Sequence, residues 1–525
     1  MTVAAGRLAA LLGEGVAGAF CASRTASADS LSIEVRGVGP LQLPVPRAQA
    51  RHLAGLGRPA RYGRGTQTLV DRAIRDTWEI PKSRVRIDKR SWDLTAGPLL
   101  ERLRRDLGLP DGARLVAQLH SALVYAPGQF FLRHQDSEKD DDMVGSLVVT
   151  LPGAYSGGVL EVEHRGRTVK YRGSRTRVSF VAFYADCRHH ITPVRSGHRV
   201  VLTFNLLLRG VPVEMDADPS RVDELAGQIG EHLSDAVDPR RLVFLLDHEY
   251  TRRGMAWSRL KGDDARRVTA LRQAAERAGC ECTLALTDVH ETWSAYGPDD
   301  EGYGWGGRWG ARSWDEDDEE DGDYDDYDDA AGNSDVDEDD YQLEELIEAE
   351  VVLDSWVDPG SGSSRAIGLA VPGEEVCAAT PSGELHPYSS EYEGYMGNWG
   401  NTLDRWDHRG AVVVWPRRLS FAVRAEASPA WALGELAALA RSGDRDRARQ
   451  QAASLAPFWD GAAGQVDDRR FFAKALRVAA ALEDPATAGM LVEPFGLRQL
   501  SVIHAGGALR RQPPSGAPER SSGAG

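Results

Sequence analysis

Cysteine is scarce in this chain: five residues in 525 (Cys21, Cys187, Cys280, Cys282 and Cys377), odd in number and scattered. That pattern excludes a disulfide-stapled scaffold and fits a reducing compartment, so a cytoplasmic location is expected. No window approaches the roughly eighteen apolar residues of a membrane span, and no membrane partner is expected. The early apolar run Leu8 to Leu12 is cut by Gly13 and Glu14 before it reaches signal-peptide length, which argues against a secretory leader. Lys and Arg form no clustered patch, so a general nucleic-acid surface is not expected either. Arg61-Tyr-Gly-Arg-Gly65 lacks the Lys and Ser/Thr of a phosphate-binding P-loop and reads as a structured loop. Cys280-Glu-Cys282 has no second cysteine pair, so two small residues on a buried strand is preferred to a zinc site.

What is present is an ordinary globular composition, 42% hydrophobic with mean hydropathy −0.38, in a chain long enough for several domains. The net charge of −17 is unevenly spread. Asp315 to Asp340 holds 17 acidic residues and no Lys or Arg, so this stretch accounts for the whole imbalance. Such a run cannot bury enough apolar surface to fold, and 315–342 is expected to be an acidic, disordered insertion. Its Asp317-x-Glu319-x-Asp321-Gly322 is a faint likeness to a calcium loop, without the twelfth-position Glu.

Short Val-, Leu- and Phe-rich segments between Gly and Pro turns run from 115 to 209 and make about eight strands, the number a double-stranded β-helix or jelly roll requires. The expected fold is mixed α/β. Residues 1–114 are an N-terminal α/β extension packing on a 115–210 core; 211–314 is a separate α/β unit. Residues 343–420 are β-rich, a degenerate second β unit; 428–495 is helical, and 505–525, rich in Pro, Ser and Gly, is a disordered tail. Glu138 to Asp142 reads as a solvated loop. His248 and His290 lack a third ligand nearby and read as structural or surface residues.

The chemistry concentrates in Tyr125 to Arg199. A strand sends residues i and i+2 to the same face, roughly 7 Å apart, so His134 and Asp136 can close on one ion while Gln135 points away. A third ligand is expected on another strand. Two histidines and one carboxylate leave open positions on an octahedral metal, the arrangement of non-haem Fe(II) oxygenases.

Tyr125-Ala-Pro-Gly-Gln-Phe-Phe-Leu-Arg-His134-Gln-Asp136, then Gly157-Gly158-Val-Leu160, then His189-x-Ile191-x-Pro193-Val194 and Arg199 resemble the prolyl-4-hydroxylase-like branch of the Fe(II)/2-oxoglutarate dioxygenases. The resemblance covers about a hundred residues, Leu115 to Leu208. It implies that His134, Asp136 and His189 bind Fe(II), that Arg199, ten residues after His189, binds the far carboxylate of 2-oxoglutarate, and that Tyr125 lies in the cosubstrate pocket. A guanidinium suits that task because it gives a carboxylate two parallel charge-assisted hydrogen bonds. The implied reaction consumes 2-oxoglutarate and O2, with ascorbate supportive, and hydroxylates a peptide, protein or small-molecule substrate, a prolyl residue among them. Adjacent strand residues face opposite ways, so only one of His189 and His190 can meet the metal. The motif selects His189 and leaves His190 outside. The alternative from a different class is a non-catalytic β-helix scaffold that binds a protein partner.

Overall fold

The computed structural model describes residues 3–495 except 15–18, 65–66, 137–139, 141, 211–216, 236–239, 253, 297–340, 358–363, 394–400 and 465–468. The 505–525 tail and nearly all of the 315–342 acidic run therefore lie outside the described residues. Among the described residues, no helix is long and apolar enough to cross a membrane. No disulfide joins any of the five cysteines.

The chain is mixed α/β, dominated by antiparallel sheets. Two of these sheets surround the motif residues. The larger has seven strands in the order Cys21–Ser27, Arg177–Tyr184, Met143–Thr150, Arg199–Arg209, Arg114–Tyr125, Trp78–Pro81 and Arg58–Pro59. The smaller has five: Arg167–Tyr171, Leu160–His164, Arg188–Ile191, Phe130–His134 and Arg75–Asp76. Residues 1–114 thus do more than pack on the core. Three of their strands extend the larger sheet and a fourth extends the smaller, because Cys21–Ser27 pairs in register with Arg177–Phe183 and Phe131 pairs with Arg75.

The core follows from the sequence of the central strands. Met143–Thr150 is buried at every position, as a strand covered on both faces must be, and its neighbour Arg177–Tyr184 buries Phe180, Ala182 and Phe183 completely. Each such aromatic ring contributes about 1.5–3 kcal/mol by leaving water. The helix Lys89–Asp106 adds Trp92, whose ring stacks on Phe204 at 4.8 Å. Asp88 starts that helix by accepting a hydrogen bond from the Ser91 backbone N–H at 2.8 Å, the side-chain cap that an unpaired first-turn donor needs.

The sheet pairing beyond residue 210 differs from the expectation. Residues 211–314 and 343–420, read as separate units, contribute strands to one seven-stranded sheet. In it Gln342–Val357 pairs with Cys280–Tyr296, and Thr402–Pro416 pairs with Leu242–Leu245, which in turn lies parallel to Val376–Ala378. Gln342, placed in the acidic insertion by composition, opens one of these strands. The pairings of Leu242–Leu245 join strands more than a hundred residues apart, which local pattern cannot reveal.

From Trp415 onward the described residues form a second compact unit, built mainly of helices between Ser420 and Val492. Its core contains Leu433, Leu436, Trp459, Phe472, Val478, Leu482 and Leu491. The Trp459 indole N–H donates to the Leu491 carbonyl at 3.1 Å, so its one polar atom is satisfied inside that core.

Candidate functional site

Tyr125, His134, Asp136, His189 and Arg199 line one cavity of about 90 Å³ between the two sheets. Antiparallel pairing brings them together. His134 and His189 are direct cross-strand partners, and Tyr125 faces Arg199 in the same way on the larger sheet. The strand that carries His134 ends there, and Asp136 lies two residues on, while Gln135 turns away to donate to Glu249 at 2.8 Å.

Two hydrogen bonds orient the imidazoles. His134 Nδ1–H donates to the Leu132 carbonyl at 2.8 Å, and His189 Nδ1–H donates to the Cys187 carbonyl at 3.1 Å. A carbonyl only accepts, so each ring carries a proton on Nδ1, and Nε2 is the nitrogen left to face a metal. His189 Nε2 lies 3.8 Å from Asp136 Oδ2, and the two rings are 4.1 Å apart and tilted by 53°. One ligand atom from each of His134, Asp136 and His189 lies within 4.8 Å of the others. Burial holds the His134 imidazole well below its ordinary pKa, and neighbouring His189 adds to this, so the ring is neutral. Neutral imidazoles and a carboxylate suit a first-row divalent ion, and the three donors leave the rest of an octahedron open. The fit is good.

His190 faces the other way. Its Nε2 is 3.8 Å from Glu161, the residue opposite it on the neighbouring strand, and it lies outside the cavity lining.

Arg199 is buried, and among the described residues its Nε and Nη1 have no hydrogen-bond partner, while Nη2 reaches the Thr150 hydroxyl at 3.4 Å. A buried guanidinium without a carboxylate is costly, and this one fits a carboxylate ligand entering the cavity. Its guanidinium carbon sits 5.4 Å from the centre of the Tyr125 ring. Gly158 permits this packing, since a Cβ there would fall 3.0 Å from Arg199 Cδ and 2.9 Å from Val194 Cγ2 at a backbone φ of +59°.

Several site residues escaped the sequence reading. The Ser146 hydroxyl donates to Asp136 Oδ2, and Thr150 meets Arg199 from the same strand. Their signal was available: two hydroxyls four residues apart, hence on one face, in the otherwise apolar Met143–Thr150. Tyr155 lies by Arg199; burial raises its phenol pKa, and the Arg199 charge opposes this. Arg75, from the N-terminal extension, also lines the cavity.

A second cluster, His164, Asp186 and His248, likewise brings its ligand atoms within 4.8 Å of one another. His248 thus groups with these two and not with His290, which pairs with Asp404 at 3.0 Å. His248 Nδ1 meets Asp186 at 2.7 Å, and the Lys261 ammonium lies 3.4 Å from the same carboxylate. Burial works against charge on Asp186, yet His248 and Lys261 hold its carboxyl well below the usual range. Burial also opposes the His248 cation, and Asp186 overcomes this to raise its pKa. Burial, aided by His248, lowers the His164 pKa to about 3.

Comparison with known proteins matches residues 120–207 to the family model of the 2OG-Fe(II) oxygenase superfamily. This segment belongs to that superfamily. No curated protein matches the chain. Among solved structures, the chain is similar to a Pseudomonas putida prolyl-4-hydroxylase (22% identity, 38% of this chain and 99% of that one, TM-score 0.24). It is also similar to a 2OG-Fe(II) oxygenase family oxidoreductase from Burkholderia pseudomallei (15% identity, 39% and 90%, TM-score 0.23). A third is a Trichoplax adhaerens prolyl hydroxylase in complex with a hypoxia inducible factor peptide fragment (13% identity, 38% and 90%, TM-score 0.24).

Proposed function

We propose that the chain is an Fe(II)- and 2-oxoglutarate-dependent dioxygenase of the prolyl-4-hydroxylase-like kind, hydroxylating a substrate that includes peptide or protein residues, prolyl among them. The observation that carries this reading is the buried Arg199 guanidinium, which pairs with no carboxylate among the described residues, in the same cavity as a two-histidine, one-carboxylate cluster. The two sheets around the cavity are read as the walls of a double-stranded β-helix.

In this reading His134, Asp136 and His189 hold Fe(II), and Arg199, with Thr150, holds the far carboxylate of 2-oxoglutarate. Bound iron and cosubstrate supply the activation of O2: substrate C–H, 2-oxoglutarate and O2 become C–OH, succinate and CO2, with one oxygen atom entering substrate and the other succinate. The Nδ1–H bonds to Leu132 and Cys187 fix the imidazoles, so the ligands need no reorientation on metal entry. Ser146 turns one Asp136 oxygen inward and leaves the carboxylate charge in place. Tyr125 and Leu160 wall the cosubstrate end and keep water from the Arg199 carboxylate contact, which strengthens it.

The test is succinate release by purified protein with Fe(II), ascorbate and 2-oxoglutarate. Slow turnover without added substrate is expected, because the ligand and cosubstrate residues are assembled before substrate arrives. Release no greater than that of Asp136→Ala, with metal uptake by the wild type demonstrated, would sink the enzyme reading and leave the scaffold reading standing.

A further inference from the structure

The cavity holds one more cation than the proposed reaction uses. Arg75 reaches it from the strand that pairs with Phe130–His134, where Arg75 stands directly opposite Phe131. Its guanidinium carbon lies 4.4 Å from the centre of the Phe131 ring, and that ring stacks on His134 with centroids 3.4 Å apart. The three groups therefore form a row ending at a metal-ligand candidate. Arg75 Nη1 donates to the Arg61 backbone carbonyl, which anchors the side chain, while its buried Nε has no hydrogen-bond partner among the described residues. The nearest acidic neighbour in sequence, Asp76, is engaged elsewhere: it pairs with Arg72 at 3.3 Å and accepts from Gln129 at 2.9 Å. Among the described residues no carboxylate pairs with Arg75.

Charge makes this informative. With neutral imidazoles, Fe(II), the Asp136 carboxylate, the 2-oxoglutarate dianion and the Arg199 guanidinium sum to zero. Arg75 leaves one positive charge over. A partly buried cation with an orphaned donor is unfavourable until an anion meets it, and a carboxylate meets a guanidinium with charge-assisted, directional hydrogen bonds. Cation–π contact with Phe131 offsets only part of that, about 0.5–2 kcal/mol.

We propose that Arg75 determines substrate specificity, and that the substrate presents a carboxylate to it close to the carbon that is hydroxylated. This rests on the dioxygenase reading above and names the substrate class for that site. Arg75 acts by binding and orienting substrate; it takes no part in the redox step.

The test is binding without turnover. Full-length protein is loaded with Mn(II) and 2-oxoglutarate, and that loading is measured first by calorimetry. Three fluorescent degenerate peptide pools are then titrated, alike except that the varied positions carry Asp and Glu, Asn and Gln, or Lys and Arg. A second arm compares N-acetylaspartate and N-acetylglutamate with their side-chain amides, which separates a peptide carboxylate from a free acid. Acidic ligands are expected to bind at least about tenfold tighter than their amides in one arm or both. Arg75→Lys should keep that preference in weaker form, and Arg75→Glu should reverse it in favour of the basic pool. Equal binding of acids and amides, no binding in either arm, or an unchanged acid preference in Arg75→Glu overturns the proposal. Failure to take up Mn(II) and 2-oxoglutarate at the first step instead overturns the dioxygenase reading, and this one with it.

Discussion

His134, Asp136 and His189 form one cluster of two histidines and a carboxylate, His164, Asp186 and His248 form another, and in each the donor atoms lie within 4.8 Å. In the first, backbone carbonyls accept from both Nδ1–H groups, so the Nε2 atoms face the cavity, and a 53° tilt lets their in-plane directions converge. In the second, the rings are stacked at 4.7 Å and only 9° from parallel, so their in-plane lone pairs do not meet at one point. Asp186 there is engaged by His248 at 2.7 Å and by the Lys261 ammonium at 3.4 Å, and Asp136 accepts from the Ser146 hydroxyl. The residues behind the donors decide which cluster can take a metal. A donor list alone does not distinguish the two.

The largest expected effect tests that contrast directly. Anaerobic calorimetry of the wild type should show one equivalent of Fe(II), and His189→Ala should abolish Fe(II)-dependent 2-oxoglutarate binding. His190→Ala and His248→Ala should retain most of it. Two equivalents in the wild type, or loss in His248→Ala with retention in His189→Ala, would break the distinction between the clusters.

A smaller effect comes from Glu249, which joins the two regions by accepting from Gln135 and by lying beside Asp186. Burial, then the Asp186 charge, raises its pKa from 4.5 to about 7. The folded chain therefore holds this proton more tightly than the unfolded chain does. The stability it contributes is fully present below about pH 4.5 and is lost as pH rises through about 7, up to about 3 kcal/mol. Glu249→Gln mimics the protonated form at every pH. Its unfolding midpoint should gain on the wild type between pH 5 and pH 8; a gap that does not change with pH would show that Glu249 ionises as a solvated carboxyl.

Much of the first cluster was legible because strand geometry converts spacing into direction. His134 and Asp136 share a face two residues apart, and the alternation that turns His189 into the cavity turns His190 onto Glu161. Arg199 followed from the motif interval. The second cluster was not legible. His164 ends one strand, Asp186 lies in the turn before the His189 strand, and His248 comes from beyond residue 240, so nothing local links them. Arg75 was missed for the same reason: the strand it occupies is two residues long, and only its pairing with Phe130–His134 brings it to the cavity. The strands of the core were readable from their apolar content, but the single sheet shared by 211–314 and 343–420 depends on pairings that no window contains.

The smallest effect concerns Ser146, and it bears on how the two carboxylates differ. The Ser146 hydroxyl in the strand behind Asp136 orients one carboxylate oxygen without neutralising it. Removing that hydroxyl should leave the ligand set intact and only loosen its geometry. Partners of this sort are worth about 10–100-fold in metal affinity, and a single neutral hydrogen bond belongs at the low end, so Ser146→Ala should weaken Fe(II) binding about tenfold. Ser146 is buried in a strand that is apolar apart from its two hydroxyl residues, and the alanine loses no large side chain, so the melting temperature should move little. Anaerobic titration of wild type and variant with Fe(II), alongside thermal melts of both without metal, measures the two quantities separately. Unchanged metal affinity would mean that Asp136 is held by the chain alone. A complete loss of binding with an unchanged melt would mean that the hydroxyl itself is a ligand, and the cluster would then have four donors where the second has three.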